Sequence, residues 1–241
     1  MRAPANTPVQ RAPVRSDNGV ASLSKERTVI HHDTIYVDRT KVDTVYIHPA
    51  DRQEVATSLK GFTPNNLVLL LDVSASMDSP YKLPLLKKSV KSLLGLLRPE
   101  DQLSIVVYSG KARVALKPTS GAKADEIANV IDQLQSDGDT DGNGGIRLAH
   151  KLADKQYIRG GNNRIVLATD GEFPVSDDTY QLVHKASNQA IYLTIFTFGR
   201  KKISSQRPQK LAQLGQGTYT PITPENADIQ LILEAQAKKS P

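Results

Sequence analysis

Three oxygen-bearing side chains stand at alternate positions directly after an apolar run. The run is Leu67–Leu71, and the three residues are Asp72, Ser74 and Ser76. A continuous apolar run of this length is typical of a buried parallel strand. In extended backbone, alternate side chains point to the same side, so the carboxylate and the two hydroxyls should lie together. Hard oxygen donors of this kind suit Mg²⁺, Mn²⁺ or Ca²⁺ better than zinc or copper.

Two later segments could complete such a site. Ser136–Ile146 is a Gly-rich loop that carries a third hydroxyl, on Thr140. Arg164–Glu172 repeats the first pattern, because a buried strand again ends in a carboxylate, that of Asp170. Asp72 and Asp170 would both lie at the carboxyl ends of strands, which is where ligands bind in open α/β sheets.

This constellation resembles the von Willebrand factor type A domain and its metal-ion-dependent adhesion site. The resemblance covers roughly residues 64–237, and the sequences that flank the motif are similar to those of bacterial A domains from secreted or membrane-anchored proteins. It implies a bound Mg²⁺, or Mn²⁺ or Ca²⁺ in its place, that accepts a carboxylate from a partner protein. The metal ligands that it implies are Asp72, Ser74, Ser76, Thr140 and Asp170.

Further polar residues flank the implied ligands. We expect Asp78, Asp141, Asn143 and Glu172 to form a rim that the partner contacts. From Pro64 onward the chain has 18 acidic residues, and nine of them lie in or beside the three site segments. The chain as a whole has a net charge of +6, so acid concentrated in one place indicates a bound cation there. The preference of Asp for loops explains part of this concentration, but not the accompanying hydroxyls.

Other chemistry fits these residues less well. Asp137–Asn143 imitates the calcium loop of an EF-hand, but Leu148 stands where a bidentate Glu is needed. A haloacid dehalogenase-type phosphatase would need an aspartate at Ser74, and a serine hydrolase would need glycines around that serine. His150 and His184 are expected to be partly buried helix residues rather than catalytic bases. We therefore expect no enzymatic activity.

The composition bears on location and on partners. The absence of cysteine excludes disulfides and thiolate metal sites. No apolar run is long enough to span a membrane, although an anchored neighbour fits the resemblance. The first residues lack the apolar core of a signal peptide, so we expect either a cytoplasmic protein or a chain without its targeting segment. The resemblance favours the second, in a bacterial cell envelope outside the cytoplasm.

Nucleic acid is not an expected partner. The basic run Arg200–Lys202 continues to Arg207 and Lys210 without an acidic residue. Binding of single-stranded nucleic acid usually needs aromatic side chains on which the bases stack, and no such residues accompany these charges. A solvated loop is the better interpretation.

Strands and helices alternate through most of the chain, with a first helix predicted over about residues 82–97 from its periodic leucines and a third over residues 145–157. This order predicts an α/β fold with a doubly wound, mainly parallel sheet flanked by helices, over residues 64–241. Residues 1–24 are rich in Pro, Ala, Ser and Arg and are expected to form a disordered or extended tail. Residues 25–63 contain two similar β-prone segments, Asp33–Asp38 and Asp43–His48, which predict an extended arm or a hairpin.

Two functions follow from this organisation. The first is a metal-dependent protein-binding module for adhesion or assembly, in which the metal accepts an acidic side chain of the partner. The alternative is an architectural scaffold of a bacterial envelope complex, in which residues 25–63 dock and the metal site is structural. Alanine at Asp170 should separate them, because it removes binding only in the first case.

Overall fold

The structure, a computed structural model, describes the backbone of residues 32–38 and 41–46 and all atoms of residues 58–138, 141–171, 173–199 and 206–237. The strands in these ranges form a single sheet. They are β1 (His32–Asp38), β2 (Lys41–Tyr46), β3 (Asn65–Asp72), β4 (Gln102–Tyr108), β5 (Arg113–Ser120), β6 (Asn162–Thr169), β7 (Ile191–Phe198) and β8 (Gln216–Ile222).

The strand order is β2-β1-β8-β7-β6-β3-β4-β5. The five strands from β8 to β4 run parallel to one another, and β5 pairs antiparallel with β4 at one edge. This confirms the predicted doubly wound, mainly parallel α/β fold. The strand order reverses between β3 and β6, because the chain moves from β3 outward to β4 and later returns to the other side of β3. A reversal of this kind opens a crevice at the carboxyl ends of the two strands.

Helices cover both faces of the sheet. In chain order they are α1 (Leu83–Leu94), α2 (Ala124–Asp132), α3 (Gly142–Lys155), α4 (Asp177–Ser187), α5 (Arg207–Leu214) and α6 (Ala227–Ala235). Leu67, Leu69 and Leu71 pack in the layer that contains α1, α2 and α6, whereas Val68 and Leu70 pack in the layer of α3, α4 and α5. Burial on both faces explains why β3 is apolar without alternation.

Several element ends differ from the sequence prediction. The periodic leucines predicted a first helix that continues to Leu97, but α1 ends at Leu94 and Gly95 follows it. The third helix was expected to begin at Gly145 and begins at Gly142 instead. Asp141 causes this earlier start, because its Oδ1 accepts a hydrogen bond from the amide of Gly144 at 2.9 Å and caps the helix.

The two similar β-prone segments pair with each other. β1 and β2 are antiparallel, and Ile35 of β1 is the antiparallel partner of Tyr219 in β8. Residues 1–31 and 47–57 lie outside the described residues, and the predicted boundaries at residues 24 and 63 stay predictions. Among the described residues no helix is long and apolar enough to cross a bilayer.

Candidate metal centre

Asp72 is the innermost residue of the candidate site. It ends β3 beside the strand reversal, and its side chain is almost fully buried. Its Oδ1 accepts a hydrogen bond from the amide of Ser74 at 2.9 Å. Its Oδ2 accepts hydrogen bonds from Thr169 Oγ1 at 2.9 Å and from the hydroxyl of Tyr108 at 3.3 Å. These three donors fix the orientation of the carboxylate.

The surroundings of Asp72 destabilise the ionised form of its carboxyl group. Burial raises the pKa of Asp72 above its ordinary value, and the nearby charge of Asp170 raises it further, although hydrogen bonds from Ser74 and Thr169 act in the opposite direction. Burial also raises the pKa of Tyr108 well above its usual range, so its hydroxyl stays protonated as a donor. A cation beside Asp72 would relieve the cost of holding this carboxylate ionised.

Ser74 and Ser76 bring two hydroxyls to the same place. The strand ends at Asp72, Ser74 is still extended, and Ala75–Met77 forms one turn of 3₁₀ helix. The Oγ atoms of the two serines lie 3.1 Å apart. Strand alternation was therefore the wrong reason for expecting Ser76 here. The turn, closed by a 2.9 Å hydrogen bond from the amide of Met77 to Ser74 O, positions it instead.

Asp170 joins this group from the neighbouring strand. It follows β6 directly, and its side chain is only 5% exposed. Ser76 Oγ donates a 2.9 Å hydrogen bond to Asp170 Oδ1. The structure thus brings together four of the five predicted ligands, Asp72, Ser74, Ser76 and Asp170. Thr140, the fifth, lies outside the described residues.

Asp137 and Gly138, which precede Thr140 in the chain, lie beside the first motif. The amide of Asp137 donates to Val73 O at 2.8 Å, and the amide of Ala75 donates to Gly138 O at 3.1 Å. These two bonds attach the segment just before Thr140 to the backbone of the Asp72–Ser76 motif. The loop that begins at Asp137 was compared with an EF-hand, and its position 12, Leu148, packs against the core on α3.

The four predicted rim residues have different surroundings. Asp78 is exposed just after the 3₁₀ turn, and Glu172 lies outside the described residues. Asp141 caps α3, as described above. Asn143 connects α3 to the segment after β6, because its Nδ2 donates to Pro174 O at 2.7 Å and its Oδ1 accepts from Thr179 Oγ1 at 2.9 Å. Their contact with a partner stays a prediction.

Lys82 is a member of the site that the sequence did not reveal. It lies just before α1, and its Nζ donates to Asp170 Oδ2 at 2.5 Å and to Ser76 O at 2.7 Å. Its side chain is 24% exposed, whereas that of Asp170 is 5% exposed. Thr169 was also missed, although it immediately precedes a predicted ligand. Nothing in the sequence pattern distinguishes either residue.

The donors that converge here suit a hard divalent cation. Adjacent oxygens around an octahedral Mg²⁺ with bonds of about 2.1 Å are about 3.0 Å apart. The spacings of 3.1 Å between Ser74 and Ser76 and 2.9 Å between Ser76 and Asp170 match this value. Hydrogen bonds between oxygens have similar lengths, so the spacing alone does not identify a metal site. The chemical type of the candidate ligands, hydroxyls and carboxylates, is equally important. No three His, Asp or Glu side chains among the described residues are grouped to hold a metal.

The two helical histidines lie away from this group. His150, on α3, is buried as expected, and its Nδ1 is 2.9 Å from Ile146 O. Burial lowers its pKa. The expectation of partial burial was wrong for His184, which is exposed on α4 because it falls on the outer side of that helix. In the predicted basic run, residues 200–205 lie outside the described ranges and Lys210 Nζ lies 4.7 Å from the ring centre of Tyr180.

Comparison with protein families agrees with the motif. The family model for the von Willebrand factor type A domain matches residues 67–172, which include every predicted ligand. The chain carries a von Willebrand factor type A domain. The resemblance noted in the sequence is thereby confirmed at the level of the family, and the A domain accounts for the sheet order and for the position of Asp72 and Asp170 at the strand reversal.

Bacterial proteins are among the relatives of this A domain. The uncharacterized protein YfbK of Escherichia coli is 34% identical over 223 residues, which are 91% of this chain and 36% of YfbK. The chain thus spans between about a third and a half of the length of the curated relatives it matches. An aerotolerance-related membrane protein from Bacteroides fragilis has the same fold, with a TM-score of 0.58 and 19% identity over 71% of this chain and 98% of that one.

A second similar structure contains a metal. It is proximal thread matrix protein 1 from the mussel byssus, whose metal-ion-dependent adhesion site motif is occupied by zinc. It superposes on this A domain with a TM-score of 0.58 and 16% identity, over 72% of this chain and 48% of that one. At this identity the likeness concerns the fold.

Proposed function

We propose that this A domain binds a partner protein through a divalent cation held by Asp72, Ser74, Ser76 and Asp170. The observation that carries the proposal is the convergence of two hydroxyls and two carboxylates at the strand reversal, with Asp72 already oriented by three donors. Thr140 would add a further hydroxyl. Type A domains commonly mediate protein interactions, and the chain belongs to that family.

The chemistry of the donors favours Mg²⁺ or Mn²⁺ as the cation. When bound, such a cation supplies a Lewis-acidic position that an external carboxylate can fill. The two carboxylates balance the formal charge of the cation. The serine hydroxyls are uncharged ligands, so the cation remains able to attract a further carboxylate. We therefore propose that the partner contributes an Asp or Glu side chain. The zinc in the mussel protein supports the view that this type of site takes a divalent cation.

Binding rather than catalysis is the proposed role. The hydroxyls of Ser74 and Ser76 hydrogen-bond to each other, and that of Ser76 also to the Asp170 carboxylate, which is a cluster of oxygens that suits a cation better than an activated nucleophile. The proposed setting is a bacterial cell envelope, which is supported by bacterial relatives and by a fold shared with a membrane protein. The predicted partner is therefore an envelope protein.

The first test measures whether the cation stabilises the fold. A ligand that binds the folded state adds about 2.7 kcal/mol to the free energy of unfolding at a hundredfold excess over its Kd. The melting temperature of the whole chain should therefore rise when EDTA is replaced by millimolar Mg²⁺ or Mn²⁺. Asp72→Ala should remove this rise, and Asp125→Ala, which replaces an exposed carboxylate on α2, should keep it. A melting curve that does not respond to either cation contradicts the proposal.

The second test addresses the partner. A complex isolated from bacterial envelope extract should dissociate on chelation, reform with Mn²⁺ and fail to form with Asp170→Ala. One Asp or Glu of the partner should account for most of the affinity. If the purified complex survives EDTA and Asp170→Ala unchanged, the metal bridge is wrong and the scaffold alternative is the better account.

A further inference from the structure

Lys82 places a positive charge inside the candidate metal centre. Its Nζ contacts Asp170 Oδ2 at 2.5 Å, while Ser76 holds the other oxygen of the same carboxylate at 2.9 Å. The ammonium therefore shares a carboxylate with the group of oxygens that faces the proposed cation. Its second contact, to Ser76 O at 2.7 Å, attaches it to the turn that carries two of the proposed ligands.

Contacts with the rest of the fold hold Lys82 in this position. The residue stands at the amino end of α1, and its amide donates to Ser79 O at 3.0 Å. Its stem passes close to Gly199, where an added Cβ would lie 3.2 Å from Lys82 Cε. Gly199 itself has a φ of +107°, which favours glycine. The ammonium is thus directed to Asp170 from α1 on one side and the end of β7 on the other.

We propose that Lys82 is a built-in counter-ion of the metal centre. It neutralises Asp170, weakens the binding of the divalent cation, and leaves the bound cation with uncompensated positive charge for the partner's carboxylate. This inference rests on the proposed function and adds a residue that sets the balance between metal affinity and ligand affinity.

The electrostatic reason is direct. Asp72 and Asp170 together would balance a divalent cation, but with Lys82 beside Asp170 one positive charge is left over. Removing the ammonium should strengthen cation binding, because two positive charges no longer share one carboxylate. Partial exposure of Lys82 screens the effect, so the change should be moderate and should decrease as salt is added.

The test is a titration of the whole chain with Mn²⁺, in which the electron paramagnetic resonance signal reports free Mn²⁺. Lys82→Met removes the charge and keeps a similar stem. Lys82→Arg keeps the charge. The matched control is Lys88→Met, which removes the charge of an exposed lysine on α1. Melting curves in EDTA establish that each variant is folded.

The expected result is that Lys82→Met binds Mn²⁺ at least about fivefold more tightly than the natural chain at low salt. Lys82→Arg and Lys88→Met should bind like the natural chain, and the gain should shrink at higher salt. If Lys82→Met binds no more tightly than Lys88→Met, the counter-ion role is wrong, while the metal centre stands. If none of the four proteins binds Mn²⁺, both the metal centre and this inference are wrong.

Discussion

Asp72 is satisfied by protein donors even without a cation. Hydrogen bonds come from its own motif through Ser74, from β4 through Tyr108 and from the end of β6 through Thr169. A carboxylate fixed in this way is oriented in advance and loses little freedom when it binds a cation. At the scale of residues, the supporting donors are therefore as important as the ligands.

Thr169→Val tests this support. The hydroxyl donates to Asp72 Oδ2 in a buried setting, and valine has nearly the same shape without the donor. We expect the free energy of unfolding to fall by about 1–3 kcal/mol, with a smaller rise in melting temperature on addition of Mn²⁺. Urea unfolding measures the first quantity.

The control for that variant is Thr220→Val. Thr220 is buried in β8, and its Oγ1 has no hydrogen-bond partner among the described residues. Its replacement should be neutral or stabilising. If the free energy of unfolding falls equally in the two variants, the hydrogen bond from Thr169 to Asp72 does not stabilise the fold.

The sequence predicted the ligands better than their supports. Asp72, Ser74 and Asp170 could be expected at one edge because apolar strands precede each carboxylate. Lys82 and Thr169 could not, because their partners lie 88 and 97 residues away and depend on how β3, β6 and α1 are packed. Pairing of side chains across a sheet depends on tertiary structure, which a local pattern does not contain.

At the scale of elements, α3 connects the loop of Thr140 to the core. Gly142 begins the helix against the ring of Phe173, and Phe173 meets Tyr108 edge to face with ring centres 6.3 Å apart. Tyr108 in turn donates to Asp72. The start of α3 is thereby in packing contact with the centre of the site.

Gly142→Ala should disturb this contact. An added Cβ would lie 2.3 Å from the Phe173 ring, so the ring must move and its edge-to-face contact with Tyr108 changes. We expect a loss of about 1–3 kcal/mol in the free energy of unfolding, and a weaker response to Mn²⁺. The control is Gly95→Ala at the end of α1, where no atom lies within 4 Å of the added Cβ. If both variants are equally stable, the close contact at Gly142 has no energetic consequence.

α3 also makes the stability of the fold depend on pH. Burial lowers the pKa of His150, so the folded state favours the neutral imidazole. The unfolded state binds a proton more readily, and stability should therefore fall as the pH drops below about 6.5. His150→Met should lose less stability between pH 7.5 and pH 5.5 than the natural chain, measured by urea unfolding. His184→Gln, at an exposed position, should behave like the natural chain, and an equal pH response in all three proteins would contradict the assignment.

At the scale of the whole molecule, the entry and exit of the A domain meet at the pole opposite the site. The amide of Thr63 donates to Ala237 O at 3.0 Å, and Leu59 is buried in the core. Arg98 donates to the carbonyls of Leu59, Phe62 and Thr63. The packed part of the chain therefore includes residues just before the predicted boundary at residue 64.

Two deletions separate the arm from the domain. Removing residues 1–57 should leave the A domain folded and still stabilised by Mn²⁺. Removing residues 1–63 also deletes Leu59 and the three carbonyls that accept hydrogen bonds from Arg98. The free energy of unfolding should therefore fall by a further amount of about 2–5 kcal/mol. If the deletion of residues 1–57 already unfolds the domain, β1 and β2 are part of its core.

The architecture was more predictable than its boundaries. Buried strands such as β3 and β7 are apolar on both faces, and this pattern is characteristic of a parallel sheet between two layers of helices. Helix ends depend on single capping contacts such as that of Asp141, and entry segments depend on packing at a distance. Both are decided by interactions that leave no periodic signal in the sequence.

The central claim is that a divalent cation lies between the two serines and the two aspartates. Anomalous diffraction from crystals soaked in Mn²⁺ tests it most directly, since the peak locates the cation without reference to any partner. We expect one strong peak within about 2.0–2.4 Å of Ser74 Oγ and Ser76 Oγ, and no such peak in crystals of Asp72→Ala. An ordered site without a peak, in crystals soaked at millimolar Mn²⁺, would contradict it.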